Sequence, residues 1–352
     1  MHMSSSNPTA ARPQGFLAKL ELYWRYARPF TLLPPLLGMI SGAVSALGAV
    51  AVHERKSLGE IFSERGTTYL GFIFIGALMA AALNAASNVL NQWTDLENDR
   101  INKPKRPLPA GEVTVAETIV YFVVLYALSL LAAYFVTPLA VYGDAQLSFW
   151  EQHQCFAIVL VGAFFTYIYS APPARTKRWA WPAQITIAIP RGCLLKVAGW
   201  TCVAGAFSDV EPWFIGGVFL LFLLGASATK DFADMKGDAA AGCLTLPVKY
   251  GPRSAAYQIA PFFVVPWMLI PVGTFVTRGD VDGDGLGDPI LSGNPTLLLA
   301  LAAALFCYGL YTLRLILKDP ESLATVENHP SWTHMYRMMM VAQIGFAVAY
   351  LV

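Results

Sequence analysis

Nine stretches of this sequence, at 29–52, 68–92, 114–136, 154–172, 182–206, 212–230, 254–277, 294–317 and 335–352, are apolar over close to the length of a membrane crossing. A spanning helix needs about 20 such residues. Inside hydrocarbon every backbone N–H and C=O must be satisfied by the chain itself, so stretches of this kind fold as helices. Pro34, Pro35, Pro190, Pro261, Pro266 and Pro271 stand within them, which a membrane helix tolerates where neighbouring helices re-satisfy the backbone. Only 13% of the 352 residues are Asp, Glu, Lys or Arg, against about 25% in a soluble domain. The expected fold is therefore all-α, a polytopic membrane protein of nine transmembrane helices. It forms one domain over 29–352, preceded by a polar tail over 1–28. That tail has no apolar core with a small-residue cleavage site, so no cleaved signal peptide is expected.

Lys and Arg set the orientation, because cytoplasmic loops retain them. With the amino terminus inside, 18 of the 24 fall in the tail and the cytoplasmic loops. Only Arg55, Lys56, Arg65 and Arg278 fall on the other side, and Arg191 and Lys196 lie within the fifth span. This predicts a cytoplasmic amino terminus and a carboxyl terminus across the membrane. The five cysteines, 155, 193, 202, 243 and 307, form no CxxC pair and read as small apolar residues of helices. The net charge of +1 carries no argument. No nucleic-acid partner is expected, and the sequence does not give the oligomeric state.

Two apolar helices, separated by four others, run into spaced carboxylates on the same predicted face. The second ends in Asn91-Gln-Trp-Thr-Asp95-Leu-Glu-Asn-Asp99, and the sixth in Asp231-Phe-Ala-Asp234-Met-Lys-Gly-Asp238. Steps of four residues drift by only about 40° on a helix, so each set shares one face. The matching placement predicts two pseudo-equivalent halves that meet at a shared site. Five aspartates crowded at a membrane boundary are costly unless cations bind there. Magnesium prefers oxygen ligands and keeps company with phosphates, so the pattern suits metal ions that hold a diphosphate and neutralise charge on its departure.

These residues resemble the UbiA-type intramembrane prenyltransferases. NxxxDxxxD at Asn91, Asp95 and Asp99, followed by Arg-Ile-Asn-Lys-Pro-Lys-Arg-Pro-Leu-Pro-Ala-Gly, is similar to the family's first signature. DxxxD at Asp234 and Asp238, preceded by Asp231, is similar to the second. The strings NQWxDxxxDxIN, YSAPP (169–173) and GDxxxGxxxLPVxxG (237–251) resemble the chlorophyll and bacteriochlorophyll synthase branch most. Lys230-Asp231-Phe232 departs from that branch's usual Asn-Asp-Phe, and the fifth span departs from it as well. The resemblance implies a helical bundle around a central cavity open to the bilayer, magnesium dependence and a prenyl diphosphate donor. It also implies that a Tyr and a basic residue of the 167–179 loop engage the donor.

In that loop Arg175, Lys177 and Arg178 are candidates to clamp diphosphate oxygens. Tyr169 could present its ring to an allylic cation. Arg191 stands about 15 Å into its helix, where a bare cation defaults to a functional hypothesis. It could bind an acidic group of the acceptor or pair with a site carboxylate. Lys196, five residues on, points about 140° away and is a second candidate substrate contact. On the opposite side of the membrane, Asp280, Asp282, Asp284 and Asp288 follow the first nine positions of an EF-hand-type loop, with Leu291 in place of the twelfth-position Glu. They are candidates for a structural calcium ion. The predicted activity is transfer of a prenyl group to a hydrophobic acceptor held in the lipid bilayer: a tetrapyrrole carboxylate, an aromatic ring or a glycerol-phosphate lipid. The alternative is a transporter for an anionic or cation-coupled solute, which would place ionisable residues near the midplane in both halves.

Overall fold

The structure, a computed structural model, describes residues 15–138, 146–280, 283, 285–326 and 329–352. Helix α1 (Phe16–Ala27) is followed by α2 (Leu33–His53), α3 (Leu58–Thr94), α4 (Leu96–Asn102) and α5 (Val115–Phe135). Next come α6 (Phe149–Gln152), α7 (Gln154–Ser170), α8 (Ala180–Ala188) and α9 (Leu195–Trp200). The chain continues through α10 (Val210–Ala226), α11 (Thr229–Ala240), α12 (Leu246–Tyr250), α13 (Pro252–Ile259) and α14 (Val265–Phe275). It ends with α15 (Pro295–Lys318), α16 (Ser322–Thr325) and α17 (Pro330–Leu351). The described residues contain no strand, only isolated bridges between Trp179 and Leu244 and between Thr277 and Pro289.

All nine apolar stretches have helical counterparts, but they differ in how well each could cross a bilayer alone. Among the described residues five helical segments are long and apolar enough, and a sixth if α10 and α11, bent by 44°, count as one. The remaining three correspond to the short α7, to the broken α8–α9 pair and to the less apolar α17. Large apolar side chains such as Phe74, Val120, Leu131 and Ile344 are more than half exposed on the outside of the bundle, a surface that acyl chains would cover.

Two expectations change. Helix α3 starts ten residues before the predicted apolar stretch, because Ser57 and Glu60 form a capping box: Glu60 N–H donates to Ser57 Oγ at 3.3 Å and Ser57 N–H to Glu60 Oε2 at 2.7 Å. The polar amino-terminal segment is also not a plain tail. From Phe16 it forms α1, whose Leu22 and Tyr26 are buried against α3 and α5, with Tyr26 Oη 3.0 Å from Thr118 Oγ1.

Small residues let backbones meet at the centre of the bundle. A Cβ on Gly42 of α2 would lie 2.5 Å from the carbonyl oxygen of Lys196, and one on Gly199 of α9 would lie 2.3 Å from that of Met39. Between α8 and α9, residues Ile189–Leu194 form a π-helical turn. Pro190 has no N–H to continue the α-helical ladder, which widens the turn.

The end of the bundle away from the carboxylate stretches is fastened by one charged residue. Glu211, fully buried at the start of α10, accepts from Arg278 Nη2 at 2.9 Å, Ser292 N–H at 2.6 Å and Tyr350 Oη. Arg278 also binds Asp209 and meets His53 Nε2 at 3.0 Å. The ends of α2, α10, α14 and α17 are thereby drawn together. Removing one member of a buried pair strands the other, at a cost of about 3–5 kcal/mol. Glu211→Ala is therefore expected to lower the thermal midpoint of the detergent-solubilised protein clearly, and Glu211→Gln to lower it less, as read by intrinsic fluorescence.

Candidate active site

At the opposite end a single cavity of about 650 Å³ opens among α3, α4, α8, α11 and α17. Asn91, Asp95 and Asp99 line it from one side and Asp231, Asp234 and Asp238 from the other. The two acidic stretches, about 140 residues apart in the chain, thus face one space. Tyr169, Lys177 and Arg191 line it too.

The first stretch is not one continuous helix. Helix α3 stops at Thr94 and Asp95 caps it, with φ −102° and ψ 10°, before α4 resumes. The hydrogen bonds from Asp95 N–H to the Asn91 carbonyl (3.0 Å) and from Asp99 N–H to the Asp95 carbonyl (2.7 Å) keep the four-residue spacing across the break. In the second stretch the break comes earlier, between α10 and α11, so all three aspartates lie on α11.

Each carboxylate already has a polar neighbour. Lys177 Nζ donates to Asp95 Oδ1 at 2.7 Å, Asn91 Oδ1 at 2.8 Å and Thr94 Oγ1 at 3.1 Å, which uses all three ammonium hydrogens. Burial pushes the Lys177 pKa down and Asp95 opposes that shift. Arg106 Nη1 donates to the buried Asp99 at 2.5 Å. Gln184 Nε2 donates to Asp231 at 2.8 Å and Thr245 Oγ1 to Asp238 at 3.3 Å. Among the described residues Asp234, 41% exposed, has only Lys230 Nζ as an ion partner, at 3.8 Å. Leu244 N–H bonds the Arg178 carbonyl at 2.7 Å, so the basic loop and the loop after α11 are laced together beside the cavity.

The candidates of the basic loop separate by position. Lys177 reaches into the cavity. Arg175 stands behind it, with Nη2 3.0 Å from both Asp95 Oδ1 and the Thr94 carbonyl. Arg178 is exposed outside the cavity. Lys196, expected as a substrate contact, is buried and points away from it. Its Nζ donates to Gln343 Oε1 and lies 4.3 Å from the centre of the Phe219 ring. Gln343 itself lines the cavity, so Lys196 can act there only through it.

In the loop at 280–288, Asp282 and Asp284 lie outside the described residues. Asp280 accepts from Gly283 N–H at 2.7 Å and Gly285 N–H at 2.8 Å. Leu291, at the twelfth position, is buried in the core.

Several lining residues were not predicted. Arg28, just before the first predicted span, takes a left-handed conformation (φ 61°, ψ 67°) where α1 ends, and borders the cavity. Burial, and then the nearby Arg106 and Arg191 cations, hold its guanidinium below its ordinary pKa. Lys103, Arg106 and Lys230 complete a cationic rim. Lys103 and Arg106 belong to the basic string after the first acidic stretch, which was the available signal.

Among the described residues no three Asp, Glu, His or Cys side chains are close enough to hold a metal by themselves. Such an arrangement fits magnesium, which is usually held by one or two carboxylates together with waters and substrate phosphates. The facing side-chain oxygens are hard donors of the kind it prefers.

The UbiA prenyltransferase family matches residues 57–280. The chain belongs to that family. It is 25% identical over 345 residues to the bacteriochlorophyll synthase 34 kDa chain of Chloroflexus aurantiacus, covering 97% of this chain and 95% of that one. It is 24% identical over 276 residues to digeranylgeranylglyceryl phosphate synthase of Methanobrevibacter smithii, covering 78% and 86%. In fold it is similar to a UbiA homolog from Archaeoglobus fulgidus solved with GPP and Mg2+, with a TM-score of 0.60 at 20% identity, covering 94% of this chain and 99% of that one. Membership makes the chain a prenyltransferase and an integral multi-pass membrane protein, which sets the transporter alternative aside. The relatives include both bacteriochlorophyll synthases and digeranylgeranylglyceryl phosphate synthases.

The two acidic stretches should respond differently to truncation. Asp95→Ala strands Lys177 and Arg175 and should cost about 1–3 kcal/mol of stability. Asp234→Ala removes a half-exposed carboxylate with one loose partner and should change stability by less than about 0.5 kcal/mol. Denaturant titration of both variants in mixed micelles measures the difference.

Proposed function

We propose that the chain transfers a prenyl group from a magnesium-bound prenyl diphosphate to an acceptor in the membrane, at the cytosolic end of a nine-span bundle. The observation that carries this reading is that both acidic stretches and Lys177 line one cavity. The topology is supported by the polar knot at the other end. It joins the end of α2, the start of α10 and the ends of α14 and α17, as helices that alternate in direction require. The amino terminus then lies in the cytosol and the carboxyl terminus across the membrane. The acceptor classes remain a tetrapyrrole carboxylate, an aromatic ring and a glycerol-phosphate lipid.

Asn91, Asp95, Asp99, Asp234 and Asp238 would hold the magnesium, with Asp231 beside them. Bound there, the metal supplies positive charge to the diphosphate oxygens. Lys177 exchanges its contact with Asp95 for a phosphate oxygen as the donor enters, and Arg175 remains to neutralise the carboxylate. Arg28 and Arg106 add charge from the rim. The allylic carbon–oxygen bond breaks and its electron pair leaves with the diphosphate. Tyr169 offers its ring face to the cation. Ile187, Leu195, Leu223 and Met339 line the cavity and keep water from quenching it. The acceptor nucleophile then forms the new bond to carbon; a ring carbon or hydroxyl acceptor also loses a proton to water or the departing diphosphate, and a carboxylate has none to lose.

Protein in lipid nanodiscs, supplied with geranyl or geranylgeranyl diphosphate and a mixed acceptor panel, should release diphosphate only with magnesium and stop on chelation. Asp95→Asn and Asp234→Asn should each lower turnover about 100-fold or more while remaining folded. Metal-independent release, or no release from folded protein with any acceptor, would overturn the proposal.

A further inference from the structure

Arg191 is not needed by the donor chemistry. It follows Ala180, where α8 begins, by eleven residues, about 15 Å along the helix. The cationic rim already serves the diphosphate at the mouth. Among the described residues the polar partner of Arg191 is Asn84, whose Oδ1 accepts from Nη2 at 2.9 Å. Asn84 is itself fixed: it is 7% exposed, and its Nδ2 donates to the Thr31 carbonyl at 2.9 Å and approaches Thr31 Oγ1 at 3.4 Å. The amide is thus turned with its oxygen toward the guanidinium. Arg191 is held through Nη2, and its side chain is exposed on the cavity wall.

Arg191 also stands in a doorway. Together with Pro35, Thr166, Pro190 and Leu195 it borders both the main cavity and an adjoining apolar annex of about 60 Å³. Met79, Leu83, Ile158, Val159 and Gly162 form the far walls of the annex. A cation at this depth without a counter-ion is costly, and the π-helical turn that presents it is a local departure often found at functional sites.

We infer that Arg191 seats a carboxylate of the acceptor, and that the acceptor's apolar body extends toward the annex. The inference rests on the prenyl-transfer reading and narrows its acceptor to a membrane-soluble carboxylic acid. Charge balance favours carboxylate over phosphate. A carboxylate brings one negative charge and two oxygens, which match one guanidinium edge. A phosphate monoester brings about −1.5 to −2, whereas Lys196 is turned away and the other cation near Arg191, Arg28, belongs to the rim that serves the diphosphate.

The test uses full-length protein in nanodiscs and the acid–amide pairs octanoate with octanamide and naphthoate with naphthamide. Their binding is followed by thermal shift and by competition with turnover. Each carboxylate should bind the wild type about tenfold or more tightly than its amide, and Arg191→Met should erase that preference, with Arg191→Lys keeping part of it. A Cβ on Gly162, which lines the annex, would meet nothing within 4 Å, so Gly162→Leu is chosen to narrow the annex and should weaken naphthoate more than octanoate. Binding of geranyl diphosphate with magnesium is measured alongside. Should the wild type bind that donor yet take acids and amides equally, the inference falls and the prenyl-transfer reading stands. Should the donor fail to bind folded protein, that reading falls as well. The wild-type comparison decides the matter even if the arginine variants do not fold.

Discussion

A charge held at or below the membrane surface must be matched, and the architecture of this chain follows from how it matches them. At one end of the bundle Arg278 bridges the carboxylates of Asp209 and Glu211 within a hydrogen-bond network that also takes in Ser292 and Tyr350, which fastens helices. At the other end the carboxylates outnumber the cations that touch them directly. Asp95 has two basic partners, while Asp231 and Asp238 rely on neutral donors. A metal ion with a phosphorylated ligand can complete that incomplete match. Stability is concentrated at the first end and reactivity at the second.

The breaks in the helices follow from the same division. A straight helix carrying Asn91, Asp95 and Asp99 would run its last carboxylate on along the helix axis. The interruption at Asp95, with α4 resuming after it, keeps the set on one wall and lets Arg106 fold back onto Asp99. In the other half the 44° bend between α10 and α11 turns the whole acidic helix toward the same space. The π-helical turn at Ile189–Leu194 does for the cavity-lining Arg191 what these breaks do for the acids. Each is a departure from regular helix at a point where a polar side chain must enter the cavity.

How legible this was from sequence depended on the range of the interaction. Apolar length and the three- and four-residue spacing of the aspartates are local; the apolar stretches are helical and both acidic stretches line one cavity. The capping box at Ser57 and Glu60 is equally local, but it lies in a polar stretch that hydropathy passes over, so the start of α3 was misplaced. Lys177 and Arg175 were indistinguishable because they differ only in which way a left-handed Arg175 (φ 37°) turns the loop, a tertiary matter. Glu211 carried no motif at all: its partners at 278, 292 and 350 are contributed by distant helix ends.

Arg191 lies between these cases. Its depth was legible, because residue count fixes distance along a helix, and depth alone argued for function. Its partner was not, because Asn84 lies 107 residues away on a helix whose crossing with the π-helical turn no sequence period encodes. The distinction matters for chemistry. Paired with an aspartate, Arg191 would be another structural clamp like Arg278. Paired with a neutral amide that is itself tied to Thr31, it retains its charge and its direction, and the interior of the bundle keeps an unanswered positive site one doorway from an apolar annex. A protein surrounded by hydrocarbon has little reason to retain such a site unless an anion comes to it.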